Sequence, residues 1–162
     1  MMLMLGLLRF WNGGELFLGN ITKSIEISAP PEKVFNFILD FDNMGKLHEG
    51  YTQATLTPKN QSIGLGTTAH FVGQHGGTKS EWDMKITEFE KNRRLRWESE
   101  KPLIANILTF EPTSIGTKFT HQTVYELPYS AFGKLMDLVK VSKDVNKELE
   151  FELAQTKKAL EN

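Results

Sequence analysis

The strand-like segment 118–127, KFTHQTVYEL, carries the two side chains of this chain best suited to hold or move a proton in apolar surroundings, His121 and Tyr125. Phe119, His121, Thr123 and Tyr125 form its more apolar parity. Alternate residues of a strand share a face, so all four are expected to point inward. An imidazole or phenol inside a dry pocket can donate a hydrogen bond to a ligand carbonyl, or act as acid and base where its pKa is tuned. The plainer reading is that each finds a protein or water partner and closes the polar balance of the interior. His70 stays open between two faces, because Thr68, His70 and Val72 or Ala69 and Phe71 could equally be the inward set.

Other chemistries find less support. His70 and His75 fall on opposite faces of a regular strand, so a shared metal is not expected. The absence of cysteine excludes a disulfide framework, a thiolate site and a cysteine nucleophile, and it fits a reducing compartment, with cytoplasm as the expected location. Gly64-x-Gly66 lacks the helix a phosphate loop needs, and no Ser/His/Asp order resembles a nucleophile elbow. The basic run 91–94 reads as a charged hairpin turn without an aromatic stacking platform. A formal net charge of −1 points to neither nucleic acid nor an anionic membrane. No cofactor and no nucleic acid are expected; the partner expected is a small hydrophobic molecule.

The elements that must position these residues can be read in order. At 162 residues and 40% apolar content the chain can close one hydrophobic core and is short for two domains. Residues 1–20 are read as an N-terminal apolar extension and 21–162 as a ligand-binding domain. The run 1–8 is far shorter than the roughly 20 residues a bilayer span needs. It also lacks a basic leader, and Asn12-Gly13-Gly14-Glu15 offers no small-residue cleavage site, so neither a signal peptide nor stable membrane insertion is expected. Leu7, Leu8, Phe10 and Trp11 are expected to pack on the domain or on a neighbouring copy, the latter giving a homodimer; a membrane-touching arm or lid is the functional alternative.

Ile21, Ile25 and Ile27 alternate with Thr22, Ser24, Glu26 and Ser28, which predicts a strand starting at Ile21 with one buried face. Pro30 and Pro31 cannot continue a ladder, but proline is tolerated in a first helical turn and Glu32 suits the positive helix end. Val34, Phe35, Ile38 and Phe41 then recur at helical spacing, and Asp40, Asp42 and Asn43 break the helix before a second short one over 44–49. Turn signals at 58–66, 75–77, 91–94, 99–102 and 112–116 divide the chain beyond Tyr51 into five or six strands and one helix. Trp82, Met84 and Ile86, like Leu95 and Trp97, alternate with polar neighbours, so one face of the meander is apolar. After Pro128 the period changes to 3.6 through Phe132, Leu135, Met136, Val139, Leu149, Leu153 and Leu160. The predicted closing helix has about 30 residues, near 45 Å at 1.5 Å per residue.

Such a sheet needs cover and should curl around that helix. Braced at one end by two short helices, it leaves space easily unfilled, so an internal apolar cavity is the candidate site. Its expected lining is His70, Trp82, Met84, Trp97, Leu108, Phe119, His121, Tyr125, Phe132 and Met136, with His121 and Tyr125 as the candidates for catalysis.

The order strand, two short helices, strand meander, long helix resembles the helix-grip fold of the START-like superfamily, which includes Bet v 1-like proteins and the polyketide cyclase/dehydrase and lipid-transport group. The opening SIEISAPPEKVFNFILD, Gly64-Leu65-Gly66-Thr67, Arg94-Leu95-Arg96-Trp97, Phe110-Glu111-Pro112 before Gly116-Thr117, and the closing ELAQTKKALEN carry the likeness, over 21–162. An aromatic frequent in the second short helix of similar chains is replaced by Leu47-His48-Glu49. The resemblance implies an α+β fold in which a curved antiparallel sheet wraps a long C-terminal helix, with two short helices after the first strand. Such folds host carriers, receptors, cyclases and chaperone-binding modules. Binding or transport of a lipid, isoprenoid or aromatic molecule is the favoured expectation. The alternative is a polyketide cyclase/dehydratase in which a cavity His or Tyr moves protons.

Overall fold

The computed structural model describes residues 9–11, 14–48, 51–57, 62–75, 78–100, 103–127 and 135–162. Eight strands form one antiparallel sheet: β1 (Arg9–Trp11), β2 (Gly14–Ile27), β3 (Tyr51–Thr57), β4 (Thr68–His75), β5 (Thr78–Glu90), β6 (Arg94–Glu100), β7 (Leu103–Pro112) and β8 (Thr117–Leu127). Their order across the sheet is β1-β2-β8-β7-β6-β5-β4-β3, so β3 through β8 is an unbroken meander and β2 is delivered to its far side. Between β2 and β3 lie α1 (Pro31–Leu39), a 3-10 turn (Phe41–Asn43) and α2 (Met44–Leu47), and α3 (Leu135–Glu161) closes the chain. This is the helix-grip arrangement expected from the order of elements.

Local chemistry accounts for the junctions. Pro31 opens α1 where its missing N–H costs nothing. Asn43, buried in the turn after α1, donates through Nδ2 to Phe37 O at 3.1 Å and ties that turn to the helix it ends. Val34, Phe35 and Ile38 bury one face of α1 against the sheet, where Phe35 meets Phe110 edge-on at 5.2 Å and Phe110 stacks on Phe119 at 5.1 Å. The 27 residues of α3 give about 40 Å of helix, which lies chiefly along β2 and β8. Leu149, Leu153 and Leu160 are buried on its sheet-facing stripe, and Ser28 N–H, donating to Glu161 Oε1 at 2.7 Å, fastens its last turn to the end of β2.

The first long strand begins at Gly14 rather than Ile21. β8 is long enough to pair with it from Ile27↔Thr117 back to Phe17↔Leu127, and ladder pairing overrides the lost alternation of Leu16-Phe17-Leu18. Residues 14–20 of the segment set apart as an extension are therefore strand residues, and β1 pairs with them. Gly19 sits opposite Tyr125, whose ring crosses it so closely that an added Cβ would lie 2.1 Å from the ring. Gly19→Ala is therefore expected to cost about 1–3 kcal/mol through overpacking. Denaturant melts of Gly19→Ala with and without Tyr125→Leu check this; equal costs in the two backgrounds would detach the effect from the ring.

Candidate functional site

The inward parity of β8 is Phe119, His121, Thr123 and Tyr125, all buried. Strand pairing sets Leu108 beside His121 and Asn106 beside Thr123, and β7 thereby delivers a polar residue to the helix-facing side of the sheet. Over this region α3 presents Val145, Glu148, Leu149 and Glu152. A pocket of about 720 Å³ opens between them, with Trp82 of β5 and Ile104 of β7 on the sheet side and His48, just after α2, at one end. Its walls are mixed: Trp82, Ile104, Val145 and Leu149 are apolar, while His48, Asn106, His121, Thr123 and Glu152 are polar.

Four of these polar groups, Glu152, His121, Asn106 and Thr123, form a connected set. His121 Nδ1 donates to Glu152 Oε2 at 2.5 Å, with both side chains almost wholly buried. His121 Nε2 lies 3.2 Å from Asn106 Oδ1, which also accepts from Thr123 Oγ1 at 2.8 Å. Both ring nitrogens of His121 thus face side-chain oxygens, a carboxylate at one and an amide at the other. His48 Nδ1 pairs with Glu148 Oε1 at 3.0 Å. At the far end of the inward row, Tyr125 OH shares a hydrogen bond of 2.9 Å with Ser142 Oγ on α3.

The electrostatics follow from burial and from these partners. Burial, the largest influence on Glu152, favours its neutral acid. The charges of His121 and His48 and the His121 hydrogen bond outweigh it and hold the carboxyl below its ordinary 4.5. Burial is also the largest influence on His48 and disfavours its cation, but the Glu152 charge and the hydrogen bond and charge of Glu148 raise it above its ordinary 6.5.

A lowered acid contributes stability that is present above its unfolded pKa and lost as pH falls through the folded one. A raised histidine contributes stability that is full below its unfolded pKa and lost as pH rises through the folded one. Stability is thus expected to decline on the acid side below about 4.5, through Glu152, and on the alkaline side above about 6.5, through His48. Melts across pH check this. Glu152→Gln should flatten the first decline and His48→Gln the second, and an alkaline limb unchanged in His48→Gln would remove His48 as its source.

Among the expected lining residues, His121 and Trp82 lie in the pocket wall. Met84, Trp97, Leu108 and Phe119 lie in the packed core, where Trp97 meets Phe71 edge-on at 6.2 Å. Tyr125 is buried against Gly19 and Ser142. The open choice at His70 resolves outward: Ala69 and Phe71 are buried, and His70 Nδ1 bonds Asp83 Oδ1 at 2.9 Å on the more exposed face. Phe132 falls outside the described residues; Met136 lies in α3, with its side chain outside them.

Sequence reasoning missed three polar residues of the pocket wall. Glu152 stands on the leucine stripe of α3 between Leu149 and Leu153, and a carboxylate on an apolar helix face was the available signal. His48 stands in the stretch Leu47-His48-Glu49 at the end of the second short helix. Asn106 gave no signal, since its role depends on the register of β7 against β8. Among the described residues, no group of three His, Asp or Glu side chains is placed to hold a metal ion, and no helix is long and apolar enough to cross a membrane.

A long helix gripped by an antiparallel sheet, with a pocket between them, defines the helix-grip class. Residues 19–161 match the family model described as polyketide cyclase/dehydrase and lipid transport, and the chain belongs to that family. Similar solved structures include Ara h 8.0201, with 15% identity, 88% of this chain and 97% of that chain covered, and a TM-score of 0.68. Protein TTHA0849 from Thermus thermophilus has 21% identity, 88% and 98% coverage and a TM-score of 0.65. The di-domain ARO/CYC StfQ from the steffimycin biosynthetic pathway has 8% identity, with 89% of this chain and 51% of that chain covered, and a TM-score of 0.72. At these identities the likeness concerns the fold. Comparison with curated proteins gives no significant match.

Proposed function

We propose that this protein binds a small, largely apolar molecule bearing a polar group, in the pocket beneath α3, and sequesters or carries it. The observation that supports this most is the pocket itself: about 720 Å³, with Trp82, Ile104, Val145 and Leu149 among its apolar walls and polar groups that include the cluster around His121. Ligand sites typically span ~300–1,000 Å³ and pair apolar walls with a few fixed polar groups that orient the ligand. Membership of the family described as polyketide cyclase/dehydrase and lipid transport agrees with such a role.

Native mass spectrometry of gently purified protein is expected to reveal a co-purifying small molecule, and naphthalene or fatty-acid probes should quench tryptophan fluorescence to saturation at one site. Failure of every probe class to saturate would remove the binding reading.

A cyclase or dehydratase is the second reading, favoured by one feature: an imidazole held by a buried carboxylate at the pocket wall is built as an acid–base group. The fold shared with ARO/CYC StfQ is compatible with it. His121→Gln separates the two readings, because glutamine keeps hydrogen-bonding capacity without shuttling protons. A carrier should keep its affinity within a few-fold, whereas an enzyme should lose ~10²–10⁴-fold in turnover.

A further inference from the structure

The amide of Asn106 is held on one side only. Its Oδ1 accepts from Thr123 Oγ1 at 2.8 Å and from His121 Nε2 at 3.2 Å, which fills both lone pairs of that oxygen. His121 is itself fixed by Glu152 at 2.5 Å, so the chain Glu152-His121-Asn106 runs from the helix to the sheet and ends in the amide. The two N–H donors of Asn106 have no protein partner among the described residues. Across the ladder on its other flank stands Trp97, whose only polar group is itself a donor. Asn106 is half-buried and lines the pocket.

We infer that Asn106 is the specificity-determining residue of the pocket, and that its oriented amide N–H groups recognise a carbonyl or other acceptor oxygen on an otherwise apolar ligand. This rests on the pocket being the ligand site and adds the chemical class that the site selects. Half-buried N–H groups that face solvent bond to water, and a ligand oxygen that takes the place of that water keeps the hydrogen bond while a hydrocarbon does not. An amide whose oxygen is pinned by two donors presents N–H without having to reorganise, so acceptor-bearing ligands are preferred over isosteric hydrocarbons. One net hydrogen bond corresponds to roughly three- to ten-fold in affinity.

The test uses the full chain and two probes of matched shape, the ketone acetylnaphthalene and the hydrocarbon ethylnaphthalene, titrated by tryptophan quenching and corrected for their transfer from water to alkane. Wild type should prefer the ketone by about three- to ten-fold. The carbonyl stretch of the bound ketone should shift to lower frequency than in alkane. Asn106→Asp keeps an acceptor for Thr123 and His121 but has no N–H to offer; it should lose both the preference and the infrared shift, the ratio being taken against the hydrocarbon's affinity in the same variant. Thr123→Val, which removes one of the two donors pinning the amide and is nearly isosteric, should reduce the preference with the fold intact. A saturable hydrocarbon site without ketone preference, or a preference and shift surviving in Asn106→Asp, would overturn the inference and leave the binding role standing. Failure of both probes to saturate wild type would overturn both.

Discussion

His121→Leu is expected to destabilise the protein by about 3–5 kcal/mol near neutral pH. The substitution leaves Glu152, whose side chain is 2% exposed, without the imidazole that bonds it at 2.5 Å. An uncompensated buried carboxylate cannot recover its hydration, and that loss exceeds the modest net value of the pair itself. The double variant His121→Leu/Glu152→Leu should regain most of the stability, because a buried pair replaced whole by apolar side chains is often neutral. The cost of the single variant should also shrink as the pH falls, since the orphaned carboxyl can then be protonated. Chemical denaturation of the two single variants and the double variant at two pH values measures the coupling. Additive single costs would mean that the two residues do not act as a pair.

Phe110→Ala is expected to cost about 3–5 kcal/mol for a different reason. Phe110 is 2% exposed and joins side chains of α1, β7 and β8: edge-on to Phe35 at 5.2 Å and stacked on Phe119 at 5.1 Å. Truncation removes the transfer energy of the ring and opens a cavity that the stiff antiparallel strands cannot close. Phe110→Leu should recover most of the loss, since it refills much of the volume. A Phe110→Ala variant that melts within about 1 kcal/mol of wild type would contradict this packing.

Much of this architecture was legible in the chain. Ile27, Met84, Ile86, Leu95 and Trp97 are buried and Ile21 and Ile25 half-buried on the face that their alternation named, because a half-buried strand writes its orientation into every second residue. The double proline set the start of α1, and the turn signals separated six strands after α2, since proline and glycine act through local backbone sterics. The start of β2 was not legible, because what extends that strand to Gly14 is the length of its partner β8.

The candidate site divides along the same line. Period-two alternation placed His121 and Tyr125 on one inward row, and a local pattern suffices for that. His70 could not be assigned, because both parities of β4 carry apolar residues; the pairing of His70 with Asp83 turned it outward. The cluster of His121, Glu152, Asn106 and His48 draws on β8, α3, β7 and the end of α2, separated by up to 104 positions between His48 and Glu152. Periodicity gives the face on which a residue lies and says nothing about its register against a distant element. Sequence alone therefore determined the helix-grip order of elements and the inward row of β8. Only the tertiary structure, by fixing the register of β7 on β8 and the placement of α3 across them, decided that a buried carboxylate would meet His121 and that an asparagine would stand beside it with its amide N–H groups unpaired among the described residues.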